Sequence, residues 1–159
     1  MIAGLSGTGK ICRPEQVSCM ARVLVVEDDP DSLEIVSRTL EKGGHVVVPA
    51  ANGWEGLLAL DAHHVDVIVL DLMMPGMNGS AFLRIVRNDQ RRKSLPVVIL
   101  TALNSGETMR TVTELGVQEW LVKADYTGTQ LLDAVDRFAQ PMAPQRSDHW
   151  QNVRWIERN

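Results

Sequence analysis

Three consecutive acids, Glu27-Asp28-Asp29, close the apolar run Val23-Leu24-Val25-Val26, and Pro30 follows them. Carboxylates crowded together repel one another unless a cation joins them. Asp29 is placed to cap a helix opening at Pro30, which leaves Glu27 and Asp28 to be explained. A second run, Val65-Asp66-Val67-Ile68-Val69-Leu70, ends at Asp71. The stretch after it, Leu72-Met73-Met74-Pro75-Gly76-Met77-Asn78-Gly79, has the proline and glycines of a tight turn close to a ligand. Two further apolar runs end in Thr101-Ala102 and in Lys123. Clustered carboxylates bind a hard cation such as Mg2+, which takes oxygen ligands in octahedral geometry. A cation and a lysine together can share the charge on a transferring phosphoryl group. That leaves one carboxylate free as nucleophile and a threonine hydroxyl free to hydrogen-bond a phosphate oxygen.

For those residues to meet, each apolar run must be a strand delivering its last residue to one edge of a sheet. Continuous apolar runs fit strands buried on both faces, as in parallel sheets, and open α/β sheets bind ligands at the carboxyl ends of their strands. The candidate strands are Arg22–Val26, His45–Pro49, Val65–Leu70, Val97–Thr101 and Glu119–Val122. The segments between read as helices. The first opens at Asp29-Pro30, carries Leu33, Val36 and Leu40 on one face and stops at Gly43-Gly44. Asn52 can cap a second, with Leu57, Leu58 and Leu60 as its apolar residues, and Asn78 a third, bearing Phe82, Ile85 and Val86. A fourth runs from about Gly106 to Leu115 and ends at Gly116; a fifth follows Thr127, with Leu131, Leu132, Val135 and Phe138 inward. Five βα units predict a flavodoxin-like, doubly wound α/β domain: a five-stranded parallel sheet with five helices, the preferred strand order being 2-1-3-4-5.

Length and composition narrow the function classes. The 159 residues suit one domain, and 45% hydrophobic with 23% charged residues is ordinary for a globular protein. A net charge of −4 gives no general attraction to nucleic acid or anionic membranes. The chain has no run near the roughly 20 apolar residues of a spanning helix and no secretory signal, so a reducing cytoplasm is the expected compartment. Cys12 and Cys19 stand without partners at metal-ligand spacing. Gly4 to Lys10 mimics a phosphate-binding loop, but Ile11 replaces the Mg2+-binding hydroxyl and the three residues before Gly4 leave no room for a feeding strand, so nucleotide binding is not expected there. Residues 1–20 read as an extension, 21–140 as the domain, and 141–159 as a polar tail too short for an independent output domain. In the tail, Trp150 and Val153 could share a short helix face that packs back or docks on a partner. His63 and His64 read as solvent-facing, and Arg91-Arg92-Lys93 as a solvated loop.

Taken together, Val-Val-Glu-Asp-Asp-Pro (25–30), Asp-Leu-Met-Met-Pro-Gly-Met-Asn-Gly (71–79), Leu-Thr-Ala (100–102) and Lys123 resemble the receiver domain of bacterial two-component response regulators. The order and spacing of these motifs carry the resemblance, which spans roughly residues 21–140. It implies a phospho-accepting signalling domain rather than a turnover enzyme. Asp71 would accept a phosphoryl group from a histidine kinase or phosphotransfer protein. Asp28, Asp71 and the Met73 backbone carbonyl would ligate Mg2+, with Glu27 acting through a metal-bound water. Thr101 would bond the phosphoryl group, Lys123 would pair with it, and Trp120 would be the switch aromatic. A downstream protein would read the face formed by the fourth helix, fifth strand and fifth helix; direct nucleic-acid or membrane binding is not expected, and self-association stays open.

The departures from the family pattern matter as well. Ala124 follows the lysine where proline is common, so a cis peptide is not expected there. Met73 and Leu103, each two residues beyond a site residue, are both apolar and cannot readily orient a water, which predicts slow self-dephosphorylation. Two rival readings are a haloacid-dehalogenase-type phosphohydrolase and a phosphorylation-independent interaction module. The first expects a second Asp where Met73 stands; the intact acid, threonine and lysine set argues against the second.

Overall fold

The apolar runs become five parallel strands: β1 (Arg22–Val26), β2 (Val46–Ala50), β3 (Val67–Leu70), β4 (Val97–Thr101) and β5 (Glu119–Val122). Five helices alternate with them: α1 (Pro30–Lys42), α2 (Gly53–Ala62), α3 (Gly79–Asn88), α4 (Gly106–Glu114) and α5 (Gly128–Phe138). This is a computed structural model, and it describes residues 20–102 and 106–139. The phosphate-loop mimic, both cysteines, Leu103, Trp150 and the rest of the tail lie outside the described residues. The strand order is β2-β1-β3-β4-β5, the predicted doubly wound topology.

β3, and β1 after the exposed Arg22, are fully apolar because helices cover both their faces. On one face Val36 and Leu40 of α1 join Leu131 and Val135 of α5 over Val23, Val25, Val67 and Val69. On the other, Leu60, Phe82, Leu83, Val86 and Val112 from α2, α3 and α4 cover Leu24, Val26, Ile68 and Leu70. Burying a side chain of this size contributes about 1.5–3 kcal/mol, so these two layers dominate the domain's stability.

The helix starts are set by side-chain caps. Asp29 accepts from the Ser32 amide, Asn52 from Glu55, Asn78 from Ala81 and Thr127 from Gln130, the last as a reciprocal capping box. Gly116, at φ 75°, follows α4 in the left-handed conformation that suits glycine.

Two strands are bounded differently from the sequence expectation: β2 runs Val46–Ala50 rather than His45–Pro49, and β3 starts later. His45 precedes β2 because its N–H donates to the Leu40 carbonyl at the end of α1 instead of entering the ladder (3.1 Å). β3 begins at Val67 rather than Val65, since the Asp66 carboxylate takes the Arg22 N–H (2.7 Å). The Arg91–Lys93 stretch is also more than a solvated loop. The Arg92 side chain is only 16% exposed, and it bonds Asp61 at 2.5 Å and the Leu60 carbonyl at 3.1 Å.

Candidate functional site

The register of the three central strands assembles the acids. Val26 of β1 pairs with Leu70 of β3, so Glu27 and Asp71 stand side by side one residue further on. The Asp71 N–H donates to the Val26 carbonyl (3.0 Å), and the Glu27 N–H to the Ala50 carbonyl (3.0 Å), which extends both strands through the acids. Thr101 closes β4, fully buried, and pairs with Val122 of β5. The Lys123 N–H then bonds the Thr101 carbonyl (3.0 Å) and fixes where the lysine leaves the sheet.

The loop after Asp71 is held tightly against the strand end. The Gly79 N–H donates to the Leu72 carbonyl (3.1 Å), and a Cβ at Gly79 would lie 2.4 Å from the Asp71 carbonyl oxygen. Only glycine permits that approach. Met77 packs on Gly53 of α2, where an added Cβ would meet its sulfur at 2.8 Å. Leu72 and Met74 are buried, whereas Met73 between them is 54% exposed.

Glu27 and Asp71 are 2% and 4% exposed, unusual for carboxylates, and the structure shows how they are tolerated. Lys123 Nζ donates to Glu27 Oε2 at 2.5 Å and to Asp71 Oδ2 at 2.9 Å. The Met73 N–H donates to Asp71 Oδ1 at 3.0 Å, and the Asp29 N–H to Glu27 Oε1 at 3.2 Å. Burial pushes the Glu27 carboxyl above its ordinary range; the Lys123 hydrogen bond opposes this and the Asp71 charge adds to it. For Lys123, burial pulls the pKa down, but the bonds to Glu27 and Asp71 outweigh it and raise the ammonium above its ordinary value.

Carboxylate oxygens of Glu27, Asp28 and Asp71 lie within 4.8 Å of one another. Three hard oxygen donors at that spacing suit a hard divalent cation. The sequence expectation thus placed Glu27, Asp28, Asp71 and Lys123 together, and the structure does bring them together, with Thr101 at the neighbouring strand end. Trp120, the second residue of β5, lies on the α2–α4 side, half-buried, and among the described residues its indole N–H has no hydrogen-bond partner. Gly79, which holds the loop against Asp71, was read from the sequence only as one of several turn glycines.

A doubly wound parallel sheet carrying buried acids, a threonine and a lysine at its carboxyl edge is the frame of a phosphoryl-accepting signalling domain. Residues 23–136 match the response regulator receiver domain, and the chain belongs to that family. Among curated proteins it is 33% identical over 104 residues to protein PilH of Pseudomonas aeruginosa, covering 65% of this chain and 86% of PilH. It is 40% identical over 103 residues to the probable transcriptional regulatory protein SilR of Salmonella typhimurium, covering 64% of this chain but 44% of SilR. Among solved structures, chemotaxis protein CheY4 of Vibrio cholerae is 35% identical with a TM-score of 0.70, covering 75% of this chain and 98% of CheY4. Domains of this family work with histidine kinases and downstream targets. Among the described residues no helix is long and apolar enough to cross a membrane.

Proposed function

We propose that the domain, residues 21–140, is a cytoplasmic receiver that takes a phosphoryl group on Asp71 and passes the signal on through a protein-binding face. The observation that carries this reading is the Asp71 carboxylate itself. It is buried, fixed by Lys123 on one oxygen and the Met73 N–H on the other, and stands among the oxygens of Glu27 and Asp28. A nucleophile so held is oriented before its donor arrives.

An Asp71 oxygen forms the new P–O bond as the P–N bond to a kinase's phosphoimidazole breaks, and the imidazole leaves neutral after taking up a proton. Asp28, Asp71 and the Met73 carbonyl would hold Mg2+, with Glu27 acting through its water; when bound, the ion supplies neutralising charge for the phosphoryl oxygens. Lys123 keeps the incoming group's charge balanced, and the Thr101 hydroxyl supplies a hydrogen bond to it. Phosphorylation adds charge and acceptor oxygens at Asp71, just past the end of β3 and beside the end of β4, and drawing Thr101 toward them changes the space beside Trp120. The α4–β5–α5 face then meets a downstream protein, and a second copy of the chain is an alternative occupant of it. Met73, exposed and without a polar group, cannot steer a water onto the phosphoaspartate, which favours a long-lived signal. The net charge of −4 makes nucleic acid and membranes poor partners.

Intact mass after incubation with a small-molecule phosphodonor tests the reading, with and without Mg2+, for wild type and Asp71→Asn. One Mg2+-dependent phosphoryl group, absent from the variant, is the expected result. No gain from either a small donor or a kinase's phosphohistidine would overturn it and favour a phosphorylation-independent interaction module.

A further inference from the structure

α4 has only one buried side chain in its nine residues, Val112, so packing alone holds it loosely. A different device fastens its C-terminal end. Arg87, in the last turn of α3, reaches across to three backbone carbonyls: Nε to Leu115 at 2.8 Å, Nη1 to Leu95 at 2.9 Å and Nη2 to Gly116 at 2.7 Å. Leu115 and Gly116 directly follow α4, where helix carbonyls lack partners and the helix dipole favours a cation. Leu95 belongs to the connection leading into β4. One guanidinium therefore ties together the end of α3, the end of α4 and the entry to β4. Gln118 reinforces the same corner, accepting from the Val97 N–H through Oε1 at 2.7 Å and donating its own N–H to the Val97 carbonyl at 2.9 Å. Three different guanidinium nitrogens reach the three separated carbonyls from one rigid fork, whereas a lysine would have to serve them all from a single nitrogen.

The other end of α4 connects to β4, whose last strand residue is the buried Thr101 beside the acid cluster. We propose that Arg87 is a positioning residue that makes α4 a lever: its C-terminal end is pinned to α3, and changes at Thr101 move its N-terminal end. This rests on the receiver reading and adds where the output face bends and which residue sets the pivot. It gives the downstream partner a surface whose variable part is the first turn and a half of α4, while the Leu115–Gln118 corner stays fixed.

Hydrogen exchange on the full chain tests this, with and without Mg2+ plus beryllofluoride as a phosphoryl mimic. In the wild type the mimic is expected to change exchange over residues 106–111 and to leave 113–118 unaltered. In Arg87→Met, exchange over 113–118 rises on the order of tenfold without ligand, as charge-assisted bonds are lost, and the mimic's effect spreads into that segment. Arg87→Lys, which keeps the charge and the fold, behaves like Arg87→Met if the fork is what matters. Phosphoryl uptake measured by mass stays at the wild-type level in both, since Arg87 lies outside the acid cluster. A wild-type response spread evenly over 106–118, or variants with the wild-type pattern, would overturn the lever alone. No response anywhere in the wild type would sink the receiver reading and the lever with it.

Discussion

Replacing Lys123 with methionine keeps an unbranched side chain one atom shorter and removes its charge, and the cost of that loss can be worked from the structure. The ammonium bridges two carboxylates that are 3% and 4% exposed, at 2.5 and 2.9 Å. Removing one partner of a buried charge pair typically costs about 3–5 kcal/mol. Because Lys123 is itself 22% exposed, water screens part of the interaction, and the lower end applies: about 3 kcal/mol at pH 7 without divalent cations. For a domain of this size that is a fall of about 12 °C in Tm.

The pH dependence comes from the direction of each shift. Burial already raises Glu27, and losing the ammonium raises it further. A carboxyl whose folded pKa exceeds its unfolded value, about 4.3, contributes stability that is full below that value and lost as pH rises through the folded pKa. The variant's deficit therefore narrows from pH 7 toward pH 5. In the wild type the raised Lys123 contributes stability present below about 10.4 and lost as pH climbs through its folded value, so the gap also closes in strongly alkaline solution. Millimolar Mg2+ supplies another cation to the same oxygens and narrows the deficit again. Urea denaturation at pH 7 and pH 5, with and without Mg2+, measures all of this. A variant within about 0.5 kcal/mol of wild type at pH 7 without Mg2+, or a deficit that widens toward pH 5, would refute the charge-bridging argument.

Gly79→Ala forces a Cβ within 2.4 Å of the Asp71 carbonyl oxygen and 2.7 Å of Leu72 Cα, so backbone must move; we expect a loss of about 1–3 kcal/mol and phosphoryl uptake slowed about tenfold or more by mass spectrometry. Gly106→Ala is its control: among the described residues the added methyl meets nothing within 4 Å, and calorimetry should find it neutral or stabilising by up to about 1 kcal/mol. Met73→Asn puts a polar amide at the exposed mouth of the site, and the lifetime of the phosphoaspartate, tracked by loss of the added mass, should shorten severalfold. Thr127→Val removes the capping box of α5, and its urea midpoint should report a loss of about 1 kcal/mol with phosphoryl uptake unchanged.

What the sequence disclosed depended on whether an interaction runs between side chains at strand ends or through backbone atoms. The acids were legible because each terminates an apolar run, and parallel register then puts Glu27 beside Asp71 without further information. The resting partner of Lys123 was not: the expectation paired it with an incoming phosphoryl group, while in the structure it bridges Glu27 and Asp71, because a partly buried cation takes whatever acceptors are present. Arg92 looked like part of a solvated basic run, since its partner Asp61 lies 31 residues upstream on another element. Arg87 left the faintest trace. Its acceptors are carbonyls, which every residue carries, so no complementary residue type marks them. The one hint is negative: Leu83 and Arg84, the positions four and three before it on α3, offer no acid to pair with a cation in a helix's last turn. A half-buried arginine lacking a local acid must find its acceptors elsewhere, and the C-terminal end of a helix is where carbonyls without helical partners collect. In this fold that end belongs to α4, the helix whose other end connects to β4 and its buried Thr101.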